Sequence, residues 1–282
     1  MTKWTHFLAI MGILLAPSSA LGWEQTMTCD ENYPCAEGQE PLPTYWETPC
    51  IGFHLNENGS KYLSFDEAMP IAVDSIEAWN RPAISSLELQ YLDATDEERI
   101  GYNPYNADRN ANIIVFRDVG WSESRSIMAL TTVTHQSSTG RIYDADIELN
   151  TTNWKFGVVE SDGRQVVDFQ NTLTHEIGHA FGLEHSNVFG ATMFPYSSTG
   201  ETNLRTLEDD DLEAIATIYP PDSTVECTFK SGYFMRPAYD MDEDPMPDDC
   251  SASPISSHPL SMGWGILGLL AVGILGRRIR GR

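Results

Sequence analysis

Three histidines in the segment T-H-E-I-G-H-A-F-G-L-E-H-S restrict the local fold of this chain more than any other feature of its sequence. His175 and His179 are one helical turn apart, so a helix places both imidazoles on one side, as two ligands of one zinc ion require. The apolar residues around them fall on the opposite face, which predicts that the helix packs inward. We predict that this helix begins near Asp168, a suitable N-cap, and ends at Gly182.

The third histidine requires the helix to end. Six further residues of straight helix would carry His185 about 9 Å beyond His179, whereas zinc–nitrogen bonds are about 2.0–2.1 Å long. Gly182 can adopt the left-handed conformation and turn the chain back. Glu176 lies beside the histidine face but is angled away from it, which suits a general base acting on a zinc-bound water. The pattern H-E-x-x-H-x-x-G-x-x-H therefore predicts three zinc ligands, His175, His179 and His185, and one catalytic base.

The same segment resembles the metzincin metallopeptidases, and within them the matrixins, in which Ser follows the third histidine as Ser186 does here. Eight residues beyond His185, A-T-M-F-P-Y is similar to the matrixin Met-turn, with Met193 beneath the metal and Pro195 after it. The resemblance covers roughly residues 48–220. Further matrixin-like segments are P-C-I-G-F-H-L-N, a helix ending in A-W-N, G-R-I-Y-D-A-D-I-E-L-N and R-T-L-E-D-D-D-L-E-A-I-A-T-I-Y-P.

The resemblance implies an α+β fold with a twisted, mostly parallel sheet, an antiparallel edge strand and about three helices. It implies a zinc metalloendopeptidase that hydrolyses peptide bonds of proteins, with an extended substrate lying antiparallel to the sheet edge near residues 128–134. The sequence departs from the family in the wall of the specificity pocket, where the family's Pro-x-Tyr becomes Pro195-Tyr196-Ser197, so the resemblance does not imply the shape of this pocket. It also lacks the motif P-R-C-G-x-P-D, so cysteine-latched latency is not implied.

Strand-like and helical patterns are mixed along the rest of the chain, which indicates an α+β domain. One helix is predicted from Asp66 to Trp79, where apolar residues recur at helical spacing, and another from about Leu207 to Tyr219, with acidic residues at its start. Strands are predicted at Ile51–Leu55, Leu87–Leu92, Asn112–Phe116, Met128–Val133 and Ile142–Leu149.

Both ends of the chain have targeting patterns. A basic Lys3, an apolar run and small residues near the predicted cleavage site are typical of a secretory signal peptide, and an apolar run before four arginines is typical of a C-terminal anchor or bacterial sorting helix. We therefore expect a secreted or cell-surface protein. The predicted segments are a signal peptide (1–22), a Cys- and Pro-rich lead-in (23–50), a matrixin-like zinc peptidase domain (51–221), an acidic linker (222–259), an apolar anchor or sorting helix (260–276) and a basic tail (277–282).

Cysteine usage and charge agree with export. The five cysteines would oxidise outside the cytoplasm and form two disulfides, and we assign Cys250, in the acidic tail, as the unpaired one. The net charge of −24 disfavours nucleic acid and anionic membrane surfaces as partners. Expected partners are protein or peptide substrates, with membrane attachment or sorting-enzyme processing through the C-terminal tail, and the protein is expected to be a monomer.

Two alternatives stay open at this point. Asp144, Asp146 and Glu148 alternate along a predicted strand and are either a calcium site, as matrixins often have, or a solvated strand face. The zinc either serves catalysis or stabilises a cell-surface binding or adhesion module. A closed structural site needs a fourth protein ligand, and such a module has no need of Glu176, so we favour the peptidase.

Overall fold

The computed structural model of this chain describes residues 22–31, 33–81, 83–103, 110–221, 225–229 and 250–259. Among these residues, no helix is both long enough and apolar enough to cross a membrane. The predicted signal peptide (apart from Gly22), the anchor or sorting helix and the basic tail lie outside the described residues.

The described chain contains nine strands and four helices. The strands are β1 (Cys50–Asn56), β2 (Glu88–Thr95), β3 (Ile113–Phe116), β4 (Ala129–Gln136), β5 (Ile142–Leu149), β6 (Phe156–Gly157), β7 (Val167–Asp168), β8 (Tyr196–Ser197) and β9 (Cys250–Pro259). The helices are α1 (Phe65–Glu77), α2 (Val159–Asp162), α3 (Phe169–Ala180) and α4 (Asp209–Ile218). All eight predicted helices and strands are present, with ends that differ by at most three residues from those predicted. Helix α2 and strands β6 to β8 are too short to produce a periodic pattern in the sequence.

Seven strands form one sheet in the order β2-β1-β3-β5-β4-β9-β8. β1, β2, β3 and β5 run parallel, and β4 is antiparallel to β5. The predicted α+β fold, with a mostly parallel sheet and an antiparallel strand beside it, is confirmed. β4 is not an edge strand, however, because β9 pairs along its outer side.

The last ten residues of the predicted linker form β9. Acidic and Pro-rich composition predicts a linker over residues 222–259, and the β9 sequence C-S-A-S-P-I-S-S-H-P has neither clear alternation nor strong β propensity. The strand forms because the outer side of β4 offers a row of N–H and C=O groups for pairing. Pairing with a distant strand, not local propensity, therefore decides this element.

Helices α1 and α3 contact each other and help to close one continuous apolar core. Trp79, two residues after α1, is fully buried, and its Nε1–H donates to the Thr174 carbonyl at 2.9 Å. The Trp79 ring also meets the Phe181 ring edge to face, with 4.8 Å between centroids. These contacts hold α3, which carries two of the three histidines, against the core.

The lead-in of residues 23–50 packs against the loop that follows α3. The Thr26 N–H donates to the Gly182 carbonyl at 2.9 Å, and the Glu184 N–H donates to the Glu24 carbonyl at 3.0 Å. The lead-in therefore supports the loop that carries the third histidine.

Two disulfides are present among the described residues, as predicted. Cys29–Cys35 closes a short loop in the lead-in, and Cys50–Cys227 joins the start of β1 to the segment after α4. The side chain of Cys250, predicted to be unpaired, is outside the described part of the chain. The second disulfide holds the chain that leads towards β9 at the sheet.

Candidate metal centre

Helix α3 begins where the sequence predicts, at an aspartate that caps it. The Asp168 carboxylate accepts a hydrogen bond from the Asn171 N–H at 2.9 Å, which satisfies one of the free N–H groups of the first turn. Arg205 also pairs with this carboxylate and, at 2.8 Å, with Glu160. The start of the helix is therefore locked to the loop before α4.

The first two histidines of α3 point their Nε2 atoms at one another. His175 Nδ1 lies 2.7 Å from the Thr192 carbonyl and His179 Nδ1 lies 2.7 Å from the Leu183 carbonyl. Because a carbonyl only accepts, each Nδ1 carries the proton and each Nε2 presents a lone pair. The two Nε2 atoms are 3.1 Å apart, close to the roughly 3.3 Å expected for two ligands of one tetrahedral zinc.

Gly182 turns the chain so that the third histidine joins the first two. Its φ of 107° lies in the left-handed region, and a Cβ at this position would come within 2.8 Å of the Thr44 carbonyl oxygen. The ring centroid of His185 is then 5.4 Å from that of His175 and 4.8 Å from that of His179. One ring nitrogen of each histidine lies within 4.8 Å of the others.

The nitrogen that His185 turns towards this point is a free acceptor. Its Nδ1 lies 3.1 Å from Glu184 Oε1, and within the described chain the buried Nε2 has no hydrogen-bond partner. A buried imidazole nitrogen facing two other imidazole lone pairs is explained by a shared cation. The donor set of three histidines therefore fits zinc.

Burial keeps the two helical histidines neutral, which is the form that binds metal. Desolvation, helped by the neighbouring imidazoles, lowers the pKa of His175 to about 3 and the pKa of His179 well below its ordinary value. Neutral imidazoles keep their lone pairs available to an ion throughout the physiological pH range.

Glu176 lies beside the triad, and β4 orients it. Its side chain is fully buried, and Thr131 Oγ1 donates to Glu176 Oε2 at 2.7 Å while lying 3.1 Å from the Glu176 backbone carbonyl. The sequence predicts the position of this carboxylate from the helical angle alone. It does not predict Thr131, whose hydroxyl reaches α3 from a strand more than forty residues earlier.

Met193 forms the floor beneath α3, as the resemblance implies. It is fully buried, and a Cβ on Gly178 would come within 2.2 Å of the Met193 sulfur, so the turn approaches the helix as closely as a glycine permits. The Met193 carbonyl also accepts from the Ser186 N–H at 2.8 Å. The turn and the loop of the third histidine are thereby joined.

An acidic side chain of α4 holds this turn, a contact that no local pattern in the sequence predicts. The buried Asp211 carboxylate accepts from the Thr192 N–H at 2.7 Å and from the Met193 N–H at 3.1 Å. Asp210 accepts from the Ser186 hydroxyl at 2.6 Å. Acidic residues at the start of a helix are favoured by the helix dipole, and here two of these carboxylates also bind the loops around the candidate metal centre.

Pro195 and Tyr196 stand between two cavities. One contains His185 and part of β9, and the smaller one contains His175 and Leu204. Tyr196 is partly exposed and begins β8, which pairs with β9. The two residues thus form a wall beside the triad.

The three acids of β5 are not a solvated strand face. Asp144 and Asp146 are buried, and Glu148 pairs with Arg117. The Asp146 carboxylate accepts from the Ile113 N–H at 3.0 Å. Of the predicted group, only Asp144 and Asp146 therefore remain as a candidate cation site, because the guanidinium neutralises the third acid.

Comparison with known proteins agrees with this geometry. Residues 99–220 match the family model described as Matrixin. Matrix metalloproteinase-16 of Rattus norvegicus is 44% identical over 70 residues, which are 24% of this chain and 11% of that protein. Metalloendoproteinase 5-MMP of Arabidopsis thaliana is 37% identical over 94 residues, or 32% and 26% of the two chains. Interstitial collagenase of Oryctolagus cuniculus is 38% identical over 68 residues, or 22% and 14%.

The matched segments therefore cover between 11% and 26% of the length of these three relatives. The family match includes α3, the three histidines, the turn at Met193 and α4. Over residues 99–220 the chain is therefore similar to the matrixin family of metallopeptidases, which is the family that its histidine motif resembles.

Proposed function

We propose that this protein is a zinc endopeptidase that hydrolyses peptide bonds within extended segments of other proteins. His175, His179 and His185 would bind the metal, and Glu176 would act as the general base. The observation that carries the proposal is the convergence of three imidazole nitrogens beside a fully buried carboxylate. A purely structural site would use a fourth protein ligand in place of the open position.

Zinc, when bound, supplies a Lewis acid that polarises the scissile carbonyl and makes a water acidic enough to attack near neutral pH. Glu176 accepts the proton of the attacking water and passes it to the leaving amine nitrogen. Thr131 donates to Oε2 of this carboxylate and so fixes its orientation beside the histidines. The carbonyls of Thr192 and Leu183 keep their histidine partners in the tautomer that presents Nε2.

The substrate would bind as an added strand antiparallel to β4. Main-chain hydrogen bonds would supply affinity, and side-chain pockets beside Pro195 and Tyr196 would supply preference. An exported location suits both the two disulfides, which persist in oxidising compartments, and a protein substrate outside the cytoplasm. Calcium at Asp144 and Asp146 is proposed as a second cofactor, because paired carboxylates are hard oxygen ligands.

The base is tested by Glu176→Gln, which keeps the shape of the side chain but cannot accept the proton. We expect zinc content to stay at one ion per chain and cleavage of denatured casein to fall by roughly 10²–10⁴-fold. Glu123→Gln, at an exposed position, is the matched control and should keep full activity. Undiminished cleavage by Glu176→Gln would refute the assigned base, and chelator-insensitive cleavage would refute the zinc mechanism.

A further inference from the structure

The outer side of β4, where a substrate is expected to bind, already holds a segment of this chain. β9 runs antiparallel to β4 from the pair Gln136↔Cys250 to the pair Ala129↔Ser257. Its last two residues, His258 and Pro259, then pair in parallel with β8, the wall that begins at Tyr196. β9 is thus an extended peptide held on both sides in the orientation expected of a substrate.

This segment crosses the cleft at the metal centre. Ile255 is buried, and its partner in the ladder is Thr131, the residue that orients Glu176. Ser253, Pro254 and Ile255 line one cavity together with His185. The strand is therefore in contact with the same cleft in which the proposed chemistry would take place.

We propose that β9 is an intramolecular peptide ligand of the catalytic groove and keeps the peptidase latent until it leaves. The inference rests on the proposed peptidase function. Each N–H and C=O group on the outer side of β4 pairs with one strand at a time, so an external peptide and β9 compete for the same groups. The occupant is a segment of this chain, not a separate inhibitor.

The contacts of β9 are few enough that another peptide can replace it on β4. Of the three β9 residues whose side chains are described, only Ile255 is buried, while Ser253 makes a 3.3 Å contact with His135. Pro254 has no N–H to give to the ladder. The segment binds because it is tethered: the Cys50–Cys227 disulfide fixes the chain at the sheet, and residues 228–249 connect this point to β9. Such tethers give effective concentrations on the order of millimolar.

Competition within the chain has a distinct kinetic signature. An occupied groove raises the apparent KM for an external substrate, whereas kcat at saturating substrate is unchanged because the chemical groups are intact. A strand that only supported the fold would, when disrupted, lower kcat or stability instead. The two roles are therefore separable by steady-state kinetics.

The test uses two separate variants of the full chain. Ile255→Asp removes the buried side chain that anchors β9, and Ser253→Pro disrupts the strand without changing a buried side chain. Val119→Asp is the matched control, since Val119 is 82% exposed. With an extended fluorogenic peptide, we expect the apparent KM to fall on the order of tenfold in both β9 variants, with kcat unchanged. A synthetic peptide of residues 250–259 should restore the higher KM in trans, and its Ile255→Asp form should not.

Hydrogen exchange of the β4 amides gives a readout that does not need activity. We expect residues 129–136 to exchange faster in both β9 variants than in the wild type and the control. Equal KM values and equal exchange in all four proteins would overturn the proposal. Faster exchange without zinc-dependent cleavage by any of the proteins would contradict the peptidase proposal and support the strand contact alone.

Discussion

At the scale of single residues, Gly182 meets two separate requirements. Its left-handed backbone is disfavoured for any residue with a Cβ, and the Thr44 carbonyl oxygen occupies the space that a Cβ would need. Only the first requirement can be inferred from the helix-ending pattern. The second arises because the lead-in packs against this turn.

Gly182→Ala should therefore cost more than a backbone penalty. Gly190→Ala is the matched control, because Gly190 has a similar φ of 97° but nothing within 4 Å of the added methyl group. We expect the control to lose about 1–2 kcal/mol of stability, and Gly182→Ala to lose more and to bind zinc more weakly. Thermal unfolding and zinc competition measure both. Equal losses in the two variants would show that the Thr44 contact is unimportant.

The buried carboxyl pair of β5 leads to a prediction on pH. Burial, with the neighbouring carboxylate, raises the pKa of Asp144 well above its ordinary value, and burial raises the pKa of Asp146 to about 6. Because these pKa values are higher in the folded protein than in the unfolded chain, the two protonated carboxyl groups stabilise the fold. This contribution to the free energy of unfolding is complete below the unfolded pKa of about 4 and is lost as the pH rises through 6.

The amide of the Asp144→Asn variant cannot ionise, so this variant avoids part of the stability loss at high pH. In calcium-free buffer, we expect its Tm to exceed that of the wild type at pH 8 and the difference to shrink towards pH 4.5, measured by calorimetry. Added calcium should then raise the Tm of the wild type but not of the variant. A variant that is less stable at every pH would contradict the proposed cost of ionisation.

At the scale of elements, the start of α4 does more than begin a helix. Asp211 accepts hydrogen bonds from its own first turn, at Glu208, and from Thr192 and Met193 of the turn beneath the metal centre. The Thr192 carbonyl in turn orients His175. The start of α4 thus positions His175, a predicted metal ligand, through two successive contacts.

Asp211→Ala should loosen that arrangement. Three N–H groups lose a charged acceptor, so we expect a loss of about 2–3 kcal/mol in the free energy of unfolding together with weaker zinc binding. Asp209→Ala changes an exposed acid in the same helical turn and is the control. Urea unfolding with and without zinc distinguishes the two effects. Zinc affinity equal to that of the control would show that Asp211 does not position the ligand.

At the scale of the whole molecule, the metal centre joins parts of the chain that are far apart in sequence. The lead-in, α3, the turn at Met193 and α4 all hold the loops that carry the histidines. Binding of zinc to this assembled site should therefore stabilise the entire domain. When the free zinc concentration is about 1,000 times the Kd, zinc binding adds about 4 kcal/mol to the free energy of unfolding.

Removal of the metal tests this coupling. In calcium-free buffer, a zinc chelator should lower the Tm of the wild type to near that of His179→Ala, and should leave the Tm of His179→Ala itself unchanged. Differential scanning fluorimetry at a fixed protein concentration suffices. If the chelator shifts both proteins equally, the stabilising ion is bound elsewhere.

The helices, the longer strands and the three histidines were predictable because each depends on spacing within a few residues. The helical repeat places His175 and His179 on one side of α3, and the glycine after α3 predicts the turn that leads to His185. Family resemblance added Met193 and Pro195. These are local or motif-level properties, which a single sequence carries in full.

The remaining features depend on which distant segments meet. Thr131 reaches Glu176 from β4, Asp211 reaches the turn beneath α3, and β9 pairs with β4 although its own sequence has weak strand propensity. Such contacts arise from packing and long-range backbone pairing, to which no local period corresponds. The amino-acid sequence alone therefore predicted the metal ligands and determined the class of fold. Only the tertiary structure decided how those ligands are held and which peptide lies across them, because both depend on groups that folding alone brings together.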